Sequence, residues 1–135
     1  MVLMLAVAAA VLGLVGVAVR ARLLVVRVRG TSMEPTLHPD DRALAVRVRS
    51  ARRPRRGDVV VCRKPELVGG GPLLVKRVAA VAGDPLPHGQ PGERVPTGRV
   101  FVVGDNNVST DSRHFGTLSQ RDVVARVLVR LWSSR

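Results

Sequence analysis

A mostly β fold with one N-terminal transmembrane helix is what this sequence predicts, on three observations. Valine is abundant and only Phe101, Phe115 and Trp132 are aromatic, so a core must be assembled from Val, Leu and Ala, a composition that favours strands. Short runs in which apolar and polar residues alternate recur from residue 23 onward, the period of a half-buried strand. Met1 to Val19 carries no charged or strongly polar side chain. The 135 residues suit one globular unit with an appendage, here an anchor at 1–19 and a β domain at 20–135.

As a helix, the apolar run would be roughly 28 Å long at about 1.5 Å per residue, close to the thickness of a bilayer's hydrocarbon core. A cleaved secretory signal opens with a basic segment, and Val2-Leu3-Met4 offers none, so the run reads as a retained anchor. Arg20, Arg22, Arg27 and Arg29 follow it. The positive-inside rule would hold them in the cytoplasm, but large domains translocate despite their charge, and the residues leave the side open.

Val25 to Arg29 alternates as a strand, and the turn Gly30-Thr31-Ser32-Met33-Glu34-Pro35-Thr36-Leu37 follows, where Pro35 prevents a helix from continuing. Leu44, Val46 and Val48 alternate with Ala45, Arg47 and Arg49, a strand whose apolar face carries the first three. Ser50 to Arg56 is a basic loop. Gly57-Asp58 opens the strand Val59 to Arg63, Pro65 to Pro72 is a glycine-rich loop, and Leu73 to Ala82 is a third apolar strand.

Gly83-Asp84-Pro85 stops that strand, and Pro85 to Gly98 is a Pro/Gly-rich connector. Arg99 to Val103 is a short strand, and Asp105 to Gly116 a polar loop. Val123, Ala125, Val127, Val129 and Leu131 share one face of a closing strand, half-buried, with Arg126, Arg130 and Trp132 on the other.

The formal net charge of +12 comes from twenty arginines and two lysines, Lys64 and Lys76. Nucleic acid and an anionic membrane surface are the two natural partners for such a balance. Three aromatic residues give little to stack on bases and no nucleic-acid motif is present, so the bilayer is the expected partner and no nucleic acid is expected. Cys62, the one cysteine, sits in an apolar run as a small buried thiol. No Cys/His cluster has zinc spacing, and neither a metal nor another cofactor is expected.

Ser32 lies where a strand turns out of a sheet, a place that can hold a hydroxyl in a fixed direction. A serine needs a base to become a nucleophile at neutral pH. None of His38, His88 and His114 has a local context suggesting a Ser-His-Asp set. A neutral lysine is the alternative, and burial among apolar groups lowers a lysine pKa by disfavouring the charged form. Lys76 shares a strand face with Leu74 and Val78 and meets that requirement. Arginine stays protonated in proteins and could not serve. Ser109 could hydrogen-bond the amine and orient it, and Asp111 with Arg113 can form a charge-assisted clamp across the loop.

Taken together, these segments resemble the type I signal peptidases, Ser-Lys membrane proteases of the S26 type. Gly30 to Leu37 is similar to the family's nucleophile box, Arg56-Gly57-Asp58-Val59-Val60 to its Arg-Gly-Asp strand, and Lys76-Arg77 with Gly83-Asp84 to the box carrying the base. Gly104-Asp105-Asn106 through Ser109, Asp111, Ser112 and Arg113 resembles the last box. The resemblance implies Ser32 as nucleophile, Lys76 as general base, Ser109 as the residue orienting the lysine, and Asp111 and Arg113 as braces. It implies an antiparallel signal-peptidase-like β fold, with 20–135 as the catalytic domain.

It further implies a single-pass protein of the plasma membrane, its catalytic domain extracytoplasmic, acting on signal-peptide-bearing preproteins. These would bind as an extended strand, with small residues at the first and third positions before the cut and Gly30, Met33 and Val75 at the substrate. Gly30 departs from relatives that carry there a serine donating to the oxyanion, so the Ser32 N–H would need a second donor. The Lys76 to Gly104 interval is brief. The chain is also similar to dedicated maturation proteases of the same clan, such as those trimming nickel superoxide dismutase precursors. A non-catalytic, basic, membrane-tethered module binding lipid or nucleic acid is the alternative from another class.

Overall fold

The computed structural model describes residues 1–48, 53–65 and 72–133. The glycine-rich part of the expected 65–72 loop, and residues 50–52 of the expected basic loop, lie outside the described residues.

The chain opens with helix α1, Val2–Arg22, and none of its side chains is buried against the rest of the protein. Its mean hydropathy of 2.8 and 21-residue length suit a membrane crossing. The helix runs past Val19 because Arg20 and Arg22 fall in its last turn, where the partial negative charge of the C-terminal carbonyls favours cations.

Seven strands follow: β1 Leu23–Arg27, β2 Arg42–Arg47, β3 Val59–Arg63, β4 Leu73–Val81, β5 Arg99–Val103, β6 Leu118–Ser119 and β7 Val123–Trp132. They form one sheet in the order β1-β2-β7-β3-β4-β5-β6, every pair antiparallel. The last strand thus inserts between β2 and β3, so the first and second halves of the chain close on each other. The main core, Val60, Cys62, Val78, Val100, Val102, Leu118 and Val123, lies over β3, β4 and β5. Each of its fully buried valines contributes about 1.5–3 kcal/mol relative to exposure. Burial pushes the Cys62 thiol up to about 12, as expected of an inert core cysteine.

Three expectations change in detail. In β2 the fully buried face is Ala43 and Ala45, with Leu44 and Val46 half-buried, the reverse of the expected polarity. The two alanines pair with Val26 and Leu24 of β1, and Ala45 packs in one cluster with both of these larger side chains, so burial follows the neighbours rather than the side chain's own size. In β7 the expected half-buried face holds only as far as Val127, and Leu128 to Trp132 are all exposed. Two register shifts against β2 pass over Leu128 and Leu131, which breaks the alternation, and the β3 pairing covers only the start of the strand. The 105–116 loop contains a single helical turn, α2, Ser112–Phe115, with Asp111 as its N-cap.

Candidate active site

Lys76 stands on the face of β4 that it shares with half-buried Leu74 and buried Val78. Its side chain is among the buried ones, the residue being 2% exposed. Lys76 Nζ donates to Ser109 Oγ at 3.0 Å, and Ser109 is itself buried. Loss of water around the amine lowers the Lys76 pKa from the ordinary lysine value; the charges of Asp111 and Cys62 act the other way, and Arg113 adds to the lowering.

Ser109 is held by the loop after β5. Asp111, fully buried, accepts from the Gly104 N–H at 2.8 Å and from the Arg113 N–H at 3.1 Å. Arg113 closes a bidentate pair on it, Nε to Oδ1 at 2.9 Å and a terminal nitrogen to Oδ2 at 2.7 Å. Burial alone would raise the carboxyl's pKa, but these bonds outweigh it and hold the group well below the usual carboxylate range. The expected clamp is therefore present as geometry.

Ser32 reaches the same place through its backbone. Its carbonyl accepts from the Asn106 N–H at 3.0 Å, and Asn106 Nδ2 donates to the Thr31 carbonyl at 3.0 Å. Gly104 is packed so closely that a Cβ there would lie 2.2 Å from Ser109 Oγ and 2.4 Å from the Ser32 carbonyl oxygen. Only glycine fits between them. The turn carrying Ser32, the loop carrying Ser109 and the strand carrying Lys76 thus converge. Among the described residues, the hydrogen bond of Lys76 goes to Ser109, and none joins it to Ser32 Oγ.

Of the three residues expected at the substrate, Gly30 is exposed with φ +73°, a left-handed conformation that other residues adopt with strain. Val75 is half-buried. Met33 is 1% exposed and packs with Val28, Leu37, Val59 and Val75 beneath the turn. Its side chain therefore supports the turn from below and does not line an open groove.

A second clamp went unread in the sequence. Arg77 makes a bidentate pair with Asp105, at 2.8 and 2.7 Å, and donates to the Gly57 carbonyl at 2.9 Å. Thr36 Oγ1 donates to the same carboxylate at 2.5 Å. Asp105 thereby ties the turn after Ser32 to β4 and, through Arg77, to the Gly57 turn. Its signal was present in two boxes, as an arginine next to the lysine and an aspartate in Gly104-Asp105-Asn106. Nothing in either segment says that they meet.

A family described as signal peptidase, peptidase S26, matches residues 1–88 and 85–132. The chain is 41% identical over 114 residues to the mitochondrial ATP-independent inner membrane protease subunit 1b of Arabidopsis thaliana, covering 76% of this chain and 66% of that one. It is 34% identical over 131 residues to the probable signal peptidase I-1 of a Synechocystis species, covering 75% and 67%. To signal peptidase I of Leptolyngbya laminosa it is 31% identical over 131 residues, covering 75% and 64%. The matches span about two thirds of the length of these relatives. With residues 1–132 inside the family match and the converging segments among them, this chain belongs to the signal peptidase family, peptidase S26.

Proposed function

We propose that the chain is a membrane-bound serine endopeptidase that removes leader peptides from exported proteins, with Ser32 as nucleophile and Lys76 as general base. The observation that carries this reading is the buried Lys76 amine, lowered in pKa and held by Ser109, on the strand against which the Ser32 turn is clamped. The names of the relatives support the reaction class.

Neutral Lys76 takes the Ser32 hydroxyl proton as Oγ bonds to the scissile carbonyl carbon. The tetrahedral intermediate collapses, the C–N bond breaks, and the ammonium returns its proton to the leaving amine. Water, deprotonated by the same amine, then attacks the acyl ester; the C–Oγ bond breaks and the ammonium returns the proton to Ser32 Oγ, freeing the serine. Ser109 and Asp111 act through the lysine and loop as positioning residues, and Arg113 through Asp111. The substrate lies extended along backbone near Gly30 and Val75, in the manner of strand addition. Residues 1–19 form the anchor and 20–135 the catalytic domain, on the outer side of the plasma membrane.

The test is cleavage of a leader-bearing precursor by the full chain in nanodiscs. Ser32→Ala and Lys76→Arg should each lower kcat/KM by ~10³ or more. Either variant keeping more than about a tenth of the wild-type rate would sink the dyad.

A further inference from the structure

Beside the end of α1 lies a cavity of about 1180 Å³, with Ala21 and Arg22 in its wall. Six arginines line it: Arg22, Arg47, Arg53, Arg55, Arg121 and Arg126. One carboxylate, Asp58, shares the wall, and it accepts from the Arg55 backbone N–H at 2.9 Å. Among the described residues, arginine pairs with carboxylates at Arg27–Asp40, Arg77–Asp105, Arg113–Asp111 and Arg130–Asp41, and none of the six takes part. Buried Val60 and Val123 give the cavity an apolar floor.

Six arginines and one carboxylate on the wall of one cavity leave it with an excess of positive charge, which an entering anion would offset. Guanidinium groups bind phosphate in bidentate fashion. The position says which phosphate. The cavity adjoins the last turn of an apolar helix none of whose residues is buried in the protein, so with α1 in a bilayer it opens at headgroup depth. Phosphate is concentrated there by anionic lipid, and basic segments beside a span are drawn to it. The valine floor suits a glycerol backbone and the start of an acyl chain, which a free anion lacks.

We propose that this cavity binds the phosphate headgroup of an anionic glycerophospholipid. Arg22 belongs to α1, whereas Arg47 and Arg126 belong to β2 and β7, so one shared phosphate ties the anchor to the sheet. The proposal rests on α1 entering the membrane and is independent of the Ser32–Lys76 chemistry.

The test uses the full chain in a neutral detergent, titrated with dihexanoyl-phosphatidylglycerol, dihexanoyl-phosphatidylcholine or inorganic phosphate, with thermal midpoint and phosphorus NMR line width as readouts. The glycerol lipid should saturate at a concentration at least about tenfold lower than the other two. Arg47→Gln/Arg126→Gln should raise its half-saturation about tenfold or more, while Arg63→Gln/Arg94→Gln, the same charge change elsewhere, moves it less than about twofold. Should the first pair fail to fold, the exposed pair Arg53→Gln/Arg121→Gln serves with the same expectation. Equal binding of inorganic phosphate overturns the lipid assignment in favour of a free anion. Tighter binding of a single-stranded oligonucleotide overturns it in favour of nucleic acid, and equal loss in the control pair shows diffuse charge instead of a site. Precursor cleavage is not read, so any of these results leaves the peptidase proposal standing.

Discussion

Lys76 Nζ and Ser109 Oγ are joined by a 3.0 Å hydrogen bond in a place nearly closed to solvent. An ammonium has three protons to satisfy, and one hydroxyl partner leaves it poorly compensated there, which disfavours the charged form. Asp111 would restore the proton by its charge, but Arg113 holds that carboxylate in a bidentate pair and opposes it. Burial is the largest cause of the lowered basicity of Lys76, and a pair of charges that it does not touch adjusts it. Replacing Arg113 by Gln should raise the lysine pKa and move the rising limb of kcat/KM to higher pH. At neutral pH the rate should fall roughly tenfold and recover at alkaline pH. A uniform loss across the pH range would show that Arg113 only supports the fold.

The same buried amine has a signature in stability. The folded pKa of Lys76 lies below the unfolded one, so between the two the unfolded chain binds more protons and stability rises with pH. The cost of burying the charge is present in full below the folded pKa and disappears toward the ordinary lysine value of about 10.4. Lys76→Met should abolish cleavage and raise stability at neutral pH by on the order of 1 kcal/mol. Urea unfolding at several pH values should show the difference from wild type shrinking as pH rises.

Asp111 behaves in the opposite sense. Its folded pKa is held below the unfolded value, so its contribution is complete above about pH 4 and is lost as pH falls through the folded value. Asp111→Asn keeps the shape but removes the charge that Arg113 and the Gly104 N–H address. A loss of about 3 kcal/mol at neutral pH is expected, with a smaller gap from wild type in acid. Chemical denaturation at neutral and acidic pH, in the same detergent, checks both.

How much of this was legible in the residues varies with the range of the interaction. Strand β3 and strand β5 were read with their observed limits, because each is a short apolar run bounded by glycine or charge. Parity put Lys76 on one face with Leu74 and Val78 but did not by itself separate it from Arg77, which also flanks apolar residues; the unbroken β3–β4 register keeps that parity in the fold. Parity failed in β7, where two bulges reset it, and bulges depend on the partner strand. It misled in β2, where alanine is buried by the side chains of β1. The Arg77–Asp105 pair spans 28 positions and was invisible for the same reason. Local chemistry can be read from one chain segment, whereas a contact between distant segments needs the fold.

That long-range clamp makes a prediction of its own. Arg77→Lys keeps one charge but loses the fork that addresses both oxygens of Asp105 and the Gly57 carbonyl. Both groups are partly solvated, so the stability cost should be modest, about 1 kcal/mol. Activity should suffer more, because Asp105 also holds Thr36 in the Ser32 turn. We expect kcat to fall by about tenfold with little change in the pH profile, since a displaced nucleophile does not alter the basicity of Lys76. A pH profile shifted like that of the Arg113 variant would instead place Arg77 in the electrostatics of the lysine.

Gly104 gives the sharpest test of the convergence, because its side chain is a single hydrogen and nothing chemical is removed by replacing it. In Gly104→Ala the new methyl would meet Ser109 Oγ and the Ser32 carbonyl oxygen well inside contact distance. One of the two must move. If Ser109 yields, Lys76 loses its partner and the pH profile shifts; if the Ser32 turn yields, the profile stays and kcat falls. Either way a loss of ~10² in kcat/KM is expected, together with overpacking that costs about 1–3 kcal/mol. Gly30→Ala is the control: it meets nothing within 4 Å, so its effect is limited to backbone strain at positive φ. If Gly104→Ala were no more harmful to cleavage than Gly30→Ala, close approach of the Ser109 loop to the Ser32 turn would not be a requirement of the chemistry.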